Sequence, residues 1–418
     1  NRSLDAGGEH RLDEFVVSEP RDSSVSFTQD EFEEQRGDVL EFTVNMTNTR
    51  INGEDNRANV TFGSNESGYN VTFTVEDNSG DGSVTVLFNT YNSTLNGANA
   101  RSGNLVTAAG DNDDEVLQSS VEVVNGVPSV LADTTYDLEV NAPNAETRLA
   151  AAVINPRTTG VVNTWTKSQD INIEDKEDLL GSIGTTVTQQ NYVAENDHIV
   201  VQLSGATGLE GLLDAQSESS FADEFTNATD ESNNITLELI QQDPGANNEA
   251  ATLNITDSSQ LVNAIGDADN DTYYLVVDTQ QIATATSGRN VGDLSGSTFD
   301  VNFSVNTNTR GLVEGDEDEV ISNQIDLEAP TLELTKQNVT AAENTTVEGE
   351  TNYAPGTEFR VRLRTTGNPD QRFIRSQNVD VQPDGTFTVE VDLPDASPGD
   401  EYEITISRSG ASLPSGLT

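Results

Sequence analysis

Residues 69–88 run Tyr-Asn-Val-Thr-Phe-Thr-Val-Glu-Asp-Asn-Ser-Gly-Asp-Gly-Ser-Val-Thr-Val-Leu-Phe. Apolar and polar residues alternate on both sides of a centre rich in Asp and Gly, and most of the apolar residues are β-branched or aromatic. This alternation is typical of strands with one buried and one wet face, and the centre is typical of a hairpin turn. The segment therefore predicts two antiparallel strands joined by a hairpin.

The same period of two recurs along the whole chain, whereas a helical period is rare. The best helical candidate is the short stretch 208–216. Many short strands with one wet face favour antiparallel sandwiches. The other clear strand candidates are Leu40–Met46, Ile235–Leu239, Phe359–Leu363 and Phe387–Leu393.

A repeated motif sets the predicted number of domains. A Tyr followed by two alternating aliphatic residues occurs at Tyr136, Tyr273 and Tyr402, at spacings of 137 and 129 residues. In immunoglobulin-like folds a Tyr at the start of the penultimate strand bonds back to the preceding corner. We therefore predict an all-β chain of three tandem immunoglobulin-like antiparallel β-sandwich domains.

Polar, acidic and Pro-containing stretches suggest the boundaries. We predict an N-terminal extension at 1–21, a first domain at 22–157, a second at 158–327 and a third at 328–418. The extension contains an isolated candidate strand, Phe15-Val16-Val17, and the third domain shows no convincing last strand after Ile406. Donor-strand exchange between copies would explain both observations. A chain cut before its last strand, or a leader strand that pairs within the first domain, would explain them equally simply.

The charge indicates the habitat and excludes several functions. The 418 residues include 72 acidic and 20 basic side chains, only three of them lysines, for a net charge of −52. Such a surface repels nucleic acid and is suited to molar salt, in which the screening length is roughly 3 Å. The absence of Cys and the presence of only two His exclude or disfavour zinc fingers, iron–sulfur clusters and His-based triads. No apolar run is long enough to predict a transmembrane segment.

Thirteen Asn-x-Ser/Thr motifs make N-linked glycans the first candidate modification. Several of them fall on the polar phase of predicted strands, where a glycan could sit in solvent, and none falls between Asn92 and Asn227. That interval could be a bare contact region. Apart from Asn1, the candidate sites are Asn45, Asn59, Asn65, Asn70, Asn92, Asn227, Asn234, Asn254, Asn270, Asn302, Asn338 and Asn344.

Acidic side chains at alternate loop positions make structural Ca²⁺ the first candidate cofactor, because such carboxylates can converge on one ion. Asp267, Asp269 and Asp271 form the first candidate, and Asp77 and Asp81 in the predicted hairpin turn form the second. A third includes Asp111 and Asp113. The alternative is an ordinary solvated acidic surface.

A basic stripe and a tripeptide also stand out. Arg360, Arg362 and Arg364 lie on the polar face of one predicted strand, where they could dock an acidic neighbouring copy or an anionic glycan. The alternative is cross-strand pairing with Glu390 or Asp392. Arg36-Gly37-Asp38 matches an adhesion tripeptide, but Gly37 is better explained by a turn before the strand.

Four segments resemble haloarchaeal surface glycoproteins of the S-layer-related, BGTF surface domain type. They are Glu33-Glu-Gln-Arg-Gly-Asp-Val-Leu-Glu-Phe-Thr-Val44, Val84-Thr-Val-Leu-Phe-Asn-Thr-Tyr91, Thr207-Gly-Leu-Glu-Gly-Leu-Leu-Asp-Ala-Gln216 and Asp271-Thr-Tyr-Tyr-Leu-Val-Val-Asp-Thr279. The resemblance implies export, an extracellular cell-surface location, N-glycosylation, and often a Thr-rich stalk with a processed membrane anchor. It supplies no catalytic residues.

The sequence thus favours a non-enzymatic structural glycoprotein that assembles with copies of itself into a surface lattice or filament, aided by Ca²⁺. The alternative function is an adhesin that recognises glycans on another cell. A carbohydrate-active enzyme would need two cooperating acids, and nothing selects such a pair from 72.

Overall fold

The alternating strands bury one face each and pair into three pairs of sheets. The computed structural model describes residues 22–94, 105–110, 113–216, 218–229, 234–285, 291–335, 345–366, 372–392 and 401–408. Within these ranges the strands fall into sandwiches built from residues 24–155, 161–328 and 332–408. The prediction of three tandem immunoglobulin-like β-sandwiches is confirmed.

The first sandwich packs a four-stranded sheet, β1-β3-β8-β9, on a seven-stranded sheet ordered β10-β7-β6-β12-β13-β2, with β11 also pairing β7. Its core contains Phe62 and Phe88, whose rings stack with centroids 4.1 Å apart. The strands are β1 Ser24–Phe27, β2 Glu31–Gln35, β3 Val39–Thr47, β4 Arg50–Ile51, β5 Glu54–Asp55, β6 Arg57–Ser64, β7 Tyr69–Glu76, β8 Ser83–Asn89, β9 Val106–Ala108, β10 Glu115–Val116, β11 Glu122–Asn125, β12 Thr135–Asn141 and β13 Arg148–Asn155.

The second sandwich packs two five-stranded sheets, β15-β14-β17-β21-β20 and β16-β23-β22-β18-β19. Phe299 and Phe303 of β22 are fully buried between the sheets. Its elements are β14 Val161–Lys167, α1 Lys176–Ser182, β15 Val187–Thr188, β16 Tyr192–Ala194, β17 His198–Ser204, α2 Glu210–Asp214, α3 Phe221–Thr229, β18 Ile235–Gln241, β19 Thr252–Asn254, β20 Leu261–Asp267, β21 Thr272–Asp278, α4 Thr279–Ala285, β22 Ser297–Val305 and β23 Glu319–Glu328.

The third sandwich packs two three-stranded sheets, β24-β25-β28 and β27-β26-β29. Phe359 and Phe387 meet edge to face in its core, with centroids 5.5 Å apart. In the described residues β29 pairs only with β26, so its outer edge carries no strand there. The strands are β24 Leu332–Leu334, β25 Thr345–Thr351, β26 Glu358–Thr365, β27 Ile374–Asp380, β28 Thr386–Val391 and β29 Tyr402–Arg408.

Two strand pairings depart from the predicted antiparallel pattern. β2 pairs β13 in parallel, and β16 pairs β23 in parallel. In the first case the chain passes from β1 in the four-stranded sheet to β2 at the edge of the seven-stranded sheet, where β2 runs parallel to β13. Both parallel strands are short edge strands, so the rest of each sandwich stays antiparallel.

The tyrosine motif has different partners in its three copies. The Tyr136 hydroxyl donates to the Ala132 carbonyl oxygen at 3.2 Å, as in a tyrosine corner. The Tyr273 hydroxyl is buried and has no hydrogen-bond partner in the described part of the chain. Tyr402 opens β29 and is half-buried. The motif therefore lies at the start of a strand in each sandwich, but among the described strands only β12 is a penultimate strand, and the predicted corner bond is observed for Tyr136.

Candidate functional site

The hairpin turn between β7 and β8 carries a compact group of carboxylates. Oxygens of Asp77, Asp81 and Asp114 all lie within 4.8 Å of one another, and this is the one such group of three in the described ranges. Asp77 is buried, and its Oδ1 and Oδ2 accept from the backbone N–H groups of Gly80 at 2.6 Å and Gly82 at 2.9 Å. These bonds fold the turn so that the three carboxylates face one point.

The other two carboxylates of this group also accept hydrogen bonds, Asp114 from the distant hairpin turn and Asp81 from within that turn. Asp114 Oδ1 accepts from the N–H groups of Asn78 and Ser79 at 3.1 and 3.0 Å. Ser83 donates from its hydroxyl and its N–H to Asp81, and these bonds lower the pKa of that carboxyl. Because oxygen ligands converge here without a basic neighbour in the group, the arrangement suits a hard divalent cation.

The other predicted metal residues do not gather in this way. Asp267 accepts from Lys176 Nζ at 2.5 Å and from the Asn270 side chain, while Asp269 is exposed. Asp267, Asp269 and Asp271 form no carboxylate group within 4.8 Å, and the buried Asp267 is paired with Lys176 instead. Asp113 lies near Asp114 but outside the group, and Asp111 lies outside the described residues.

The candidate glycosylation sites differ in exposure. Asn92 and Asn234 are buried, with 5% and 8% of their surface exposed, and Asn234 precedes β18 instead of facing solvent from it as the alternation suggested. The exposed sites are Asn65, Asn254 and Asn270, the half-buried ones are Asn45, Asn59, Asn70, Asn227 and Asn302, and Asn338 and Asn344 lie outside the described residues.

The arginine stripe lies on the outer face of β26. Arg360, Arg362 and Arg364 are all exposed and alternate with the buried Phe359, Val361 and Leu363. None of the three arginines forms an ion pair with a residue in the described ranges, so the predicted alternative of pairing with Glu390 or Asp392 is not seen for them there. Those two acids belong to the opposite sheet or follow it. The candidate donor strand Phe15-Val16-Val17 lies outside the described residues.

Arg36-Gly37-Asp38 is buried at a joint between the first and second sandwiches. Asp38 accepts from the N–H groups of Gly208 at 2.6 Å and Glu210 at 3.0 Å. Arg36 donates to the carbonyl oxygens of Gly311 and Leu312. We call this contact the first joint. Because the tripeptide is buried against its own chain, it is not displayed as a ligand.

Gly37 is required by the close approach of the two sandwiches. Its φ is +103°, and a Cβ placed there would lie 2.4 Å from the Gly208 carbonyl oxygen. Its own carbonyl oxygen accepts from the Gly211 N–H at 3.0 Å. A side chain would therefore be strained and would also separate the backbones that form the joint.

A second joint connects the second and third sandwiches through a buried ion pair. Arg408 Nη2 donates to Asp197 Oδ1 at 2.9 Å, and both side chains are fully buried. Asp197 Oδ2 also accepts from the Ala354 N–H at 2.7 Å. The Arg408 guanidinium lies over the Tyr353 ring, 4.5 Å from its centroid. We call this contact the second joint.

Burial shifts the titration of the carboxyls in both joints. Desolvation raises the pKa of Asp38 to about 8 despite its two backbone donors, and raises that of Glu210 to about 7. Desolvation also raises the pKa of Asp197, to about 6, with Arg408 opposing the rise. Neither joint was predicted from the sequence, in which the only available signal was the charged and Gly-containing tripeptide before β3.

The fold defines a chain of three consecutive sandwiches joined by buried contacts. Comparisons with known proteins show what this chain is similar to. A family model described as a domain of unknown function, DUF7827, matches residues 17–143. The chain is 32% identical over 406 residues to the cell surface glycoprotein of Haloferax gibbonsii. It is 29% identical over 427 residues to cell surface glycoprotein 1 of Haloarcula hispanica. Each match covers 94% of this chain and 44% of the relative.

These relatives confirm the predicted resemblance to haloarchaeal cell surface glycoproteins and the extracellular, cell-surface location. The chain spans less than half the length of the curated relatives it matches. Within the described residues, no helix has both the length and the apolar character needed to cross a membrane.

Solved structures align along most of the chain at low similarity. An ICAM-5 D1–D4 ectodomain fragment aligns with 93% of this chain and 74% of its own length, at 11% identity and a TM-score of 0.18. A tetra-tandem repeat from the extending region of a large adhesion protein aligns with 92% of this chain and 98% of its own, at 11% identity and a TM-score of 0.17.

Proposed function

We propose that this chain is a structural part of a haloarchaeal cell surface, which assembles with copies of itself into a lattice or filament and carries N-linked glycans. The observation that supports this most directly is the pair of buried joints. Consecutive sandwiches are connected by buried charged side chains and backbone hydrogen bonds, which resist bending better than an exposed linker. A surface layer needs such stiffness between its modules.

The proposal assigns no catalytic activity to the chain. Its support is that the curated relatives are named for their place on the cell surface and that their similarity covers 94% of this chain. The acids with raised pKa that are described above serve the joints between sandwiches.

We propose that Asp77, Asp81 and Asp114 bind Ca²⁺ as a structural cofactor. An ion there would offset two of the three carboxylate charges and tie the β7–β8 hairpin to residue 114, which lies more than thirty residues further along the chain. Binding to the folded state alone would stabilise the chain by about 2.7 kcal/mol at a Ca²⁺ concentration a hundred times the dissociation constant.

Thermal unfolding of the full chain in molar KCl, with Ca²⁺ and with a chelator, tests the site. We expect Ca²⁺ to raise Tm in the wild type and to have a much smaller effect in Asp77→Asn and Asp114→Asn. Asp269→Asn, at an exposed acid outside the group, is the matched control. An equal response to Ca²⁺ in all four proteins would contradict the site.

Electron microscopy in molar salt tests the assembly itself. We expect lattices or filaments in the presence of Ca²⁺ and their loss on chelation. Dispersed single chains in both conditions would contradict self-assembly and favour the alternative adhesin, for which binding of the dispersed chain to cell-surface glycans would be the next measurement.

The outer edge of β29, which carries no strand within the described residues, favours a second route of association, in which residues 12–19 of another copy pair with that edge. The half-buried inward residues Tyr402, Ile404 and Ile406 would become covered by an added strand. Because the chain has no Cys, single cysteines at Val16 and Ser407 give a clean crosslinking test. A disulfide between different chains would support the exchange, and its absence from assembled material would contradict it.

A further inference from the structure

We infer that the third sandwich is a two-faced module that stacks on a second copy of this chain, with the arginine face of one copy against the acidic face of the next. The inference rests on the proposed self-assembly and names the surface that would carry it. The arginine face is the outer face of sheet β27-β26-β29, centred on Arg360, Arg362 and Arg364. The acidic face is the outer face of sheet β24-β25-β28, with Glu333, Glu350 and Glu390.

The arginine face carries its charges at the spacing of alternate residues along one strand. Alternate residues on β26 point outward, so the three guanidinium groups follow one another at roughly 6.6 Å per two residues. Their flanking positions in register are nearly free of acids. Arg360 lies between Asn378 and Ser407, Arg362 lies between Ser376 and Thr405, and Arg364 lies between Ile374 and Glu403.

The acidic face holds carboxylates that repel one another. Glu333 of β24 lies directly opposite Glu350 of β25, and a pair of like charges in that position destabilises a sheet. Glu390 of β28 is exposed on the same face, opposite Thr346. No cation from the described ranges pairs with these three glutamates. A countercharge from outside the molecule would therefore relieve repulsion.

In the part of the chain that the structure describes, the three arginines of β26 form no ion pair, whereas several other arginines do. Arg57 pairs with Glu76, Arg157 pairs with Glu319, and Arg408 pairs with Asp197, all within the chain. With only 20 basic against 72 acidic residues, cations are scarce, yet one row of three stays exposed. Charge complementarity points to a carboxylate surface, and a second copy supplies one on a sheet of the same size and strand pitch.

The environment makes direct contact necessary. In molar salt the screening length is about 3 Å, so only charges that touch attract each other appreciably. A face-to-face contact between the two sheets would allow several bidentate Arg–carboxylate contacts at once. Because the two faces lie on opposite sides of one sandwich, the contact is heterologous and repeats from copy to copy, which generates an open row instead of a closed dimer.

Charge reversal in the full chain tests the stacking. We expect Arg360→Glu with Arg362→Glu to weaken self-association at least about a hundredfold in sedimentation velocity, since like charges would then face each other. Glu333→Arg with Glu350→Arg should weaken it similarly. Arg50→Glu with Arg148→Glu is the control, because it makes the same change in net charge at exposed arginines of the first sandwich and should leave association unchanged.

Mixing the two charge-reversal variants in equal amounts is the decisive experiment. The Arg→Glu variant alone has two acidic faces, and the Glu→Arg variant alone has two basic faces. In the mixture an acidic face of one variant can meet a basic face of the other, so we expect self-association to return. Circular dichroism and Tm of each variant show whether it is folded. Arg362→Gln, in which we expect self-association to weaken about tenfold, replaces any variant that does not fold. Wild-type association that is unaffected by reversal would overturn the stacking and leave self-assembly standing. A wild type that stays dispersed would overturn both.

Discussion

The two joints both connect consecutive sandwiches, but they stabilise a buried carboxylate with different groups. Each buries a carboxylate where consecutive sandwiches meet, but Asp38 in the first joint is held by two backbone N–H groups, while Asp197 in the second joint is held by the Arg408 guanidinium and one N–H. A buried ion stabilised by a full countercharge keeps a lower pKa than one stabilised by dipoles alone, which matches about 6 for Asp197 and about 8 for Asp38. The two joints should therefore lose stability in response to different substitutions and different changes of pH.

The largest expected effect is at the second joint. Arg408→Met leaves Asp197 fully buried without its cation, and breaking a buried pair from one side costs about 3–5 kcal/mol. We expect that loss in the free energy of unfolding of the third sandwich, measured by denaturant titration in molar KCl. Arg148→Met, at an exposed pair, is the control and should cost less than about 1 kcal/mol.

A second substitution sharpens this result. Adding Asp197→Asn to Arg408→Met removes the stranded charge and keeps an acceptor for the Ala354 N–H. Part of the lost stability should therefore return, because the cost arises from an unpaired buried charge more than from a lost attraction. If the double variant is less stable than Arg408→Met, the ion pair is not the source of the effect.

A smaller loss is expected at the first joint. Asp38→Ala leaves the N–H groups of Gly208 and Glu210 without an acceptor, at a cost of about 2–4 kcal/mol, whereas Asp38→Asn keeps one acceptor and should cost clearly less. Trp165, the only tryptophan, lies in β14 of the second sandwich and reports unfolding on that side of the joint. Equal losses in the two variants would contradict the hydrogen-bond account.

The sequence predicted what short-range patterns encode. Alternation placed the strands β3, β7 and β8 correctly, and the Asp77–Gly82 turn was recognised because its bonds span five residues at most. Asp114, which completes that carboxylate group, comes from a different loop. The helices α1 and α4 were missed because each is seven residues long and has too few apolar positions to show a helical period. In α3, Phe221, Phe225 and Ala228 do recur at helical spacing, and this signal was overlooked.

The joints were unpredictable for a physical reason. Asp38 meets residue 208 and Asp197 meets Arg408 across separations of 170 and 211 residues, so no local spacing connects the partners. Arg36-Gly37-Asp38 was assigned only to a turn, which accounts for Gly37 but not for its two charged neighbours. In a chain with 72 acids, the ones that are buried become distinct only after the sandwiches are docked.

The most diagnostic difference between the joints is their response to pH. A carboxyl whose folded pKa exceeds its unfolded value contributes stability below the unfolded pKa and loses it as pH rises through the folded pKa. For Asp38 that window runs from about 4 to about 8, and Glu210 acts in the same direction up to about 7. The first joint should weaken steadily as pH rises.

The second joint contains a compensating group. Asp197 loses stability between about pH 4 and 6, but His198, whose pKa is lowered to about 4 mainly by desolvation, is kept neutral by the fold and gains stability as pH rises towards its usual 6.5. We therefore expect unfolding curves for wild type and Asp38→Asn, recorded from pH 4 to 8, to diverge by up to about 1.4 kcal/mol per pH unit. Arg408→Met removes the group that lowers the pKa of Asp197, so the stability of that variant should go on falling above pH 6, where the contribution of Asp197 in the wild type has levelled off. Parallel curves for wild type and Asp38→Asn would show that Asp38 stays ionised in the joint, because its two backbone donors would then outweigh its burial.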